Sequence, residues 1–173
     1  MPLTLYQAFV PSALQMLGTA RHLVTRAADW CAEHDCAEQV LIGHRIHPEM
    51  FPFAYQVKSV AVHTAGALRA VPQGAFSPDV SEPPASFAAL HEAVDAASAQ
   101  LEAADEAAME MWIGQPMQFR FRDYAMDFRA EDFLLSFSQP NFYFHAATAY
   151  DILRQKGVDV GKRDFMGRVR IAS

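Results

Sequence analysis

Asn141 and His145 stand four residues apart inside the run Pro140-Asn141-Phe142-Tyr143-Phe144-His145. At 3.6 residues per turn, that spacing sets both side chains within about 40 degrees of each other on one helix face. A polar pair in an aromatic run must find a partner or a ligand. Gln56 and His63, seven apart, fall within about 20 degrees of each other on an earlier helix and flank an apolar stripe of Val57, Val60, Thr64 and Leu68. The two pairs are the natural groups to face one another between helices, as ligands do in helical metalloproteins. Tyr143 and Tyr150 bring hydroxyls to the same stretch, and a buried tyrosine gives its hydroxyl a partner, which in a cleft is a ligand. If the cluster is catalytic, His145 serves as general base or metal ligand. Asn141 then orients the substrate, and Tyr143 or Tyr150 stabilises developing charge. The alternative is a hydrogen-bonded core network built from the same residues.

Other chemistries find little support. Gly-rich phosphate loops, Cys/His nucleophile signatures and the Gly-x-Ser-x-Gly elbow do not occur, which leaves nucleotide-dependent and hydrolase-type nucleophilic catalysis unsupported. Cys31 and Cys36 match no common zinc spacing and are expected as free thiols. His44 and His47 lie in a Pro- and Gly-containing segment that suits surface or capping roles. His22, His34 and His91 show no partner pattern and are read as solvated. The formal net charge of -6 disfavours a nucleic-acid partner, since phosphate binding needs a concentrated basic surface. Lys162-Arg163, with Arg168 and Arg170, is read as a solvated tail. No apolar run approaches the roughly 20 residues that cross a bilayer. The start Met1-Pro2-Leu3-Thr4 has no basic region ahead of a hydrophobic one, so a cytoplasmic location is expected.

The elements that must position these groups follow from periodicity. Leu5, Phe9, Ala13, Leu17, Ala20, Val24, Ala27 and Cys31 mark a first helix, with Thr4 and Gln7 spaced as a capping box and Pro11 expected to kink its first turns. Residues 35 to 51 read as a short turn or helical piece over one end. Phe53 to Val71, behind Pro52, form a second helix. The prolines of residues 72 to 84 predict an extended crossover, and Phe87 to Ala104 a third helix. Alternation over residues 118 to 129 predicts a β-hairpin with its turn at Asp123-Tyr124-Ala125, its aromatic residues on one face and its arginines in water. A fourth helix runs from about Glu131 to Lys156, capped by Gly157 and bent at Pro140, which frees the carbonyl of Ser136. At 173 residues, with 51% hydrophobic and 20% charged, the chain (1–173) is expected to be a single all-α domain that folds unaided.

Several strings carry a family resemblance: Met50-Phe51-Pro52 with Gln56-Val57, Pro140 to His145, Thr148-Ala149-Tyr150, Ile152-Leu153-Arg154, and Gly161-Lys162-Arg163-Asp164-Phe165. They resemble a bacterial family of unassigned function within the DinB/YfiT-like superfamily, over nearly the whole chain. The resemblance implies a four-helix bundle with a long crossover between helices two and three, and a homodimer. Better-known members of the superfamily bind zinc or nickel through one histidine on the second helix and two on the fourth. Several transfer low-molecular-weight thiols onto electrophiles or open small rings hydrolytically. His145 matches the second helix-four histidine, standing twelve residues before Gly157, and is the position that carries over as a metal ligand. Asn141 replaces the first, and the helix-two ligand falls to Gln56 or His63. Asn and Gln are poor ligands for borderline metals. The expectation is a degenerate metal pocket that binds a small organic ligand through Asn141, His145, Gln56, His63, Tyr143 and Tyr150. The alternatives are a metal-dependent transferase or hydrolase of the thiol-transfer type, and a non-enzymatic dimeric stress or interaction module.

Overall fold

The first helix, α1 (Leu5–Glu33), opens where the Thr4 hydroxyl accepts the Gln7 N–H and the Gln7 side-chain oxygen accepts the Thr4 N–H, the capping box expected there. In this computed structural model, which describes residues 2–172, α1 runs uninterrupted through Pro11. Its expected stripe from Phe9 to Cys31 is buried. A single turn, α2 (Gln39–Ile42), then sends Leu41 and Ile42 into the core.

The second long segment begins as α3 (Phe53–Ala61). It widens into a π turn over Val62–Gly66, returns to α geometry in α4 (Ala67–Ala70) and tightens over Val71–Gln73 before Gly74, whose φ of 69° ends it. Sequence periodicity predicted an unbroken helix here. The Thr64 hydroxyl donates to the carbonyls of Val60 and Ala61 at 2.7 and 3.2 Å, competing with the helical ladder where the register changes.

The crossover is more ordered than expected. It opens with a strand, β1 (Ala75–Phe76), and is tied down by Lys58, whose Nζ donates to the backbone carbonyl and hydroxyl of Ser81 and pairs with Asp79 at 2.9 Å. Ser86 caps α5 (Phe87–Glu102), the expected third helix, and Asp105 caps the short α6 (Glu106–Glu110). The hairpin is present as β2 (Pro116–Phe121) and β3 (Tyr124–Arg129). Its turn is Arg122-Asp123, with Arg122 left-handed at φ 53°, so Tyr124 and Ala125 belong to the strand. β1 adds in parallel to β2, giving a small sheet in the order β1-β2-β3.

The last long segment starts as α7 (Ala130–Asp132), passes through a second π turn over Phe133–Ser138 and continues as α8 (Gln139–Gln155). Gln139 N–H reaches five residues back to Leu134. Pro140 has no N–H to extend that wider ladder, so its expected disturbance takes the form of a register change. Gly157, at φ 84°, ends the helix, and α9 (Lys162–Met166) lies against α1. There His22 Nε2 meets Asp164 at 2.6 Å, so His22 is not the solvated residue expected from sequence.

α1 packs on α5 and α8, and α3 packs on α8 and α5, around one continuous buried cluster. The sheet seals one end of it through Phe76, Phe119, Phe128, Phe133 and Phe137, with ring centroids 5.0 to 6.5 Å apart. Arg120, Arg122 and Arg129 stay exposed, as alternation predicted. Among the described residues, no helix is long and apolar enough to cross a membrane.

Phe133 touches three rings of this cluster and is fully buried. Phe133→Ala should lower stability by about 3 to 5 kcal/mol in urea unfolding. A loss below about 1 kcal/mol would mean that the aromatic cluster does not hold the sheet to the helices.

Candidate functional site

α3 and α8 pack face to face, and three of the residues picked out by spacing meet there: Gln56, His63 and His145. The π turn begins only at Val62, so almost all of the rotation between Gln56 and His63 is α-helical and both reach the face turned to α8. From α8, His145 Nδ1 lies 2.7 Å from Gln56 Oε1. The His63 and His145 rings stack at 5.7 Å between centroids, 18° from parallel.

The hydrogen-bond chain fixes the chemistry of His145. Gln56 Nε2 donates to the carbonyl of Phe51 at 2.9 Å, and only an N–H can serve that acceptor. The amide oxygen must therefore face His145, and an oxygen there requires the imidazole to carry its proton on Nδ1. The Nε2 lone pair is left free. Among the described residues no hydrogen-bond partner meets it, and unlike His63 Nδ1 it is not among the sealed, unpartnered atoms.

Burial keeps both rings neutral. His63 is 7% exposed, and its pKa is pushed down to about 3, first by burial and then by the neighbouring His145. Burial brings His145 down to about 4. His63 also packs against Phe76 at 5.4 Å and Phe137 at 5.8 Å, so each π turn contributes a ring to one contact. The orphaned His63 Nδ1 is a desolvated polar atom of the kind that proteins keep only where something offsets it.

The other expected site residues lie elsewhere. Asn141 spends its amide on its own helix, donating to the Phe137 carbonyl at 2.7 Å where the ladder changes register. Tyr143, exposed on another face, rests against Phe142. Tyr150 packs against Phe165 beside a small apolar cavity of about 140 Å³. In their place the structure supplies an aromatic rim not picked out from sequence. Tyr55 meets the edge of His145 at 6.5 Å, Phe51 stacks on Tyr55 at 3.9 Å, and Phe144 stands against His145 at 5.4 Å. Phe51 and Phe144 are 55% and 56% exposed, so the rim presents apolar rings to solvent beside His145. The signal was available in part: Tyr55 directly precedes Gln56, Phe51 stands five residues before it, and Phe144 adjoins His145.

A groove between α3 and α5, about 440 Å³ and walled by Lys58, Arg69, Asp79 and Gln100, is separate from the histidines. As metal donors the cluster offers two imidazoles, because the Gln56 oxygen already faces a ring N–H. That falls short of the three protein ligands a catalytic zinc takes. Among the described residues, no group of three or more His, Cys, Asp and Glu could hold a metal ion.

Residues 5–166 match the model of a family described as a domain of unknown function, DUF1993. The chain belongs to DUF1993. A crystal structure described as that of a DinB family member protein from Shewanella denitrificans superposes on this DUF1993 chain with a TM-score of 0.80. It is 25% identical, and the match covers 98% of this chain and 95% of that one. DUF1993 is thereby related to the DinB-like fold, as the sequence strings suggested. No curated protein matches the chain.

Because both folded pKa values lie below the ordinary histidine value, the unfolded chain takes up protons first as pH falls. Stability is therefore full above about pH 6.5 and should drop from there to about pH 4 for His145 and about pH 3 for His63, each histidine adding a slope of up to about 1.4 kcal/mol per pH unit. Urea unfolding across this range checks it, and His63→Leu should flatten the slope. An unchanged slope in that variant would show that His63 is not buried neutral.

Proposed function

We propose that the Gln56–His145 pair and its aromatic rim bind a small planar organic molecule carrying an N–H or O–H donor. The observation that supports this most is the relay from the Phe51 carbonyl through Gln56 to His145 Nδ1. It leaves a fixed, neutral Nε2 acceptor beside Phe51, Tyr55 and Phe144. Small-molecule sites are mostly apolar surfaces with a few placed polar groups, and this cluster has that composition. His63 sits behind His145 as a neutral ring and supports its orientation by stacking.

Binding is favoured over proton abstraction by magnitude. A general base works best with a pKa near the operating pH, and His145 at about 4 is a weak base at neutrality. Asn141, Tyr143 and Tyr150, engaged elsewhere, do not enter this reading. In DinB/YfiT-like terms the long helical segments form the four-helix bundle, and the position of the metal site has become an organic pocket.

Phenol and indole serve as probes, titrated by ligand-observed NMR into protein purified without a polyhistidine tag. Saturable binding is expected, weakened about tenfold or more in His145→Ala, the equivalent of about 1.4 kcal/mol. Truncating a residue that is only structural would instead lower the melting temperature, through the stranded Gln56 oxygen, with no binding to lose. That outcome would favour the interaction-module alternative. Near-stoichiometric zinc or nickel in the tag-free protein would overturn the organic-pocket reading in favour of the metal-dependent transferase.

A further inference from the structure

The C-terminus of α1 brings the chain's two cysteines together. His34 caps the helix, Asp35 takes a left-handed φ of 48°, and the Cys36 N–H donates to the Cys31 carbonyl at 3.0 Å. This six-to-one bond after a left-handed residue is the Schellman arrangement, which sets the side chains of its first and last residues against each other. Such helix ends frequently place two hydrophobic groups there. In this chain both are thiols, Cys31 and Cys36, and both are free. The Cys31 sulfur is turned toward the same segment, 3.8 Å from the carbonyl of Ala37. A disulfide needs its two Cα atoms within about 4.4 to 6.8 Å, and the six-to-one closure holds the backbone in that neighbourhood.

The two sulfurs are not equivalent. Cys31 is 4% exposed, whereas Cys36 is only partly buried. Burial first, and then the adjoining Cys36 thiol, push the Cys31 thiol up to about 12. A thiol held protonated is a poor first nucleophile, so external chemistry starts at Cys36.

We propose that Cys31 and Cys36 form a thiol–disulfide exchange site that is oxidised by low-molecular-weight disulfides. The Cys36 thiolate attacks one sulfur of R–S–S–R and expels RS⁻, leaving a Cys36–S–S–R mixed disulfide. Cys31 then gives its proton to solvent and attacks the Cys36 sulfur, which closes the Cys31–Cys36 bond and expels the second RS⁻. The protein dithiol loses two electrons, the small disulfide gains them, and both leaving thiolates are protonated from solvent. This site lies on a different element from the histidine cluster and does not depend on it.

The test exposes the reduced full-length protein to oxidised glutathione, blocks remaining thiols with iodoacetamide and measures intact mass. The native protein should lose both alkylatable thiols and retain no glutathione. Cys31→Ser, lacking the resolving thiol, should retain one glutathione on Cys36, and Cys36→Ser should remain reduced. Wild-type protein that keeps a mixed disulfide, or that keeps both thiols alkylatable, would overturn the proposal. So would glutathione on Cys31 in the Cys36→Ser protein.

Discussion

The 2.7 Å hydrogen bond between Gln56 and His145 is the contact on which the rest of the site depends. It joins the two long helical segments through their polar faces, and it works only because the Gln56 nitrogen is already committed to the Phe51 carbonyl. That commitment fixes which atom of the amide faces the ring and hence which ring nitrogen is left free. Remove it and the imidazole could adopt either tautomer. The relay thus turns a backbone carbonyl at the start of α3 into a chemical property of a side chain on α8.

Two departures from α geometry flank this contact, one on each segment. The π turns over Val62–Gly66 and Phe133–Ser138 lie on facing segments, and His63 from one packs on Phe137 from the other. Each takes up one extra residue, and each coincides with a local competitor for the ladder: the Thr64 hydroxyl in the first, the missing Pro140 N–H after the second. Such turns concentrate at functional sites because they aim side chains that a regular helix would misdirect. Phe76 on β1 and Phe137 on the last segment then wall His63 on the inner side, part of the burial that depresses its pKa.

Much of the frame was legible in the sequence. The periodicity of Leu5 to Cys31 and of Phe87 to Ala104 fixed two helices, and alternation around Phe119 and Phe128 fixed the hairpin. The facing of Gln56 and His63 toward His145 followed from simple rotation. The π turns were not legible, since one extra residue leaves the apolar spacing within its usual scatter. β1 escaped because two residues are too few to show alternation. Asn141 misled for a physical reason: it shares a face with His145, but its amide found a backbone acceptor one turn back. Tyr143, two residues from His145, is rotated by about 200 degrees and could have been set aside on that ground alone.

The central claim is that His145 is held neutral, with its proton on Nδ1 and Nε2 free. Nitrogen-15 NMR of histidine-labelled protein reads this directly. The account predicts a pyrrole-type Nδ1 and a pyridine-type Nε2 for His145 at neutral pH, unchanged down to about pH 5, with the pattern lost in Gln56→Leu. A His145 that carries its proton on Nε2, or that titrates near the ordinary histidine value of about 6.5, would contradict it.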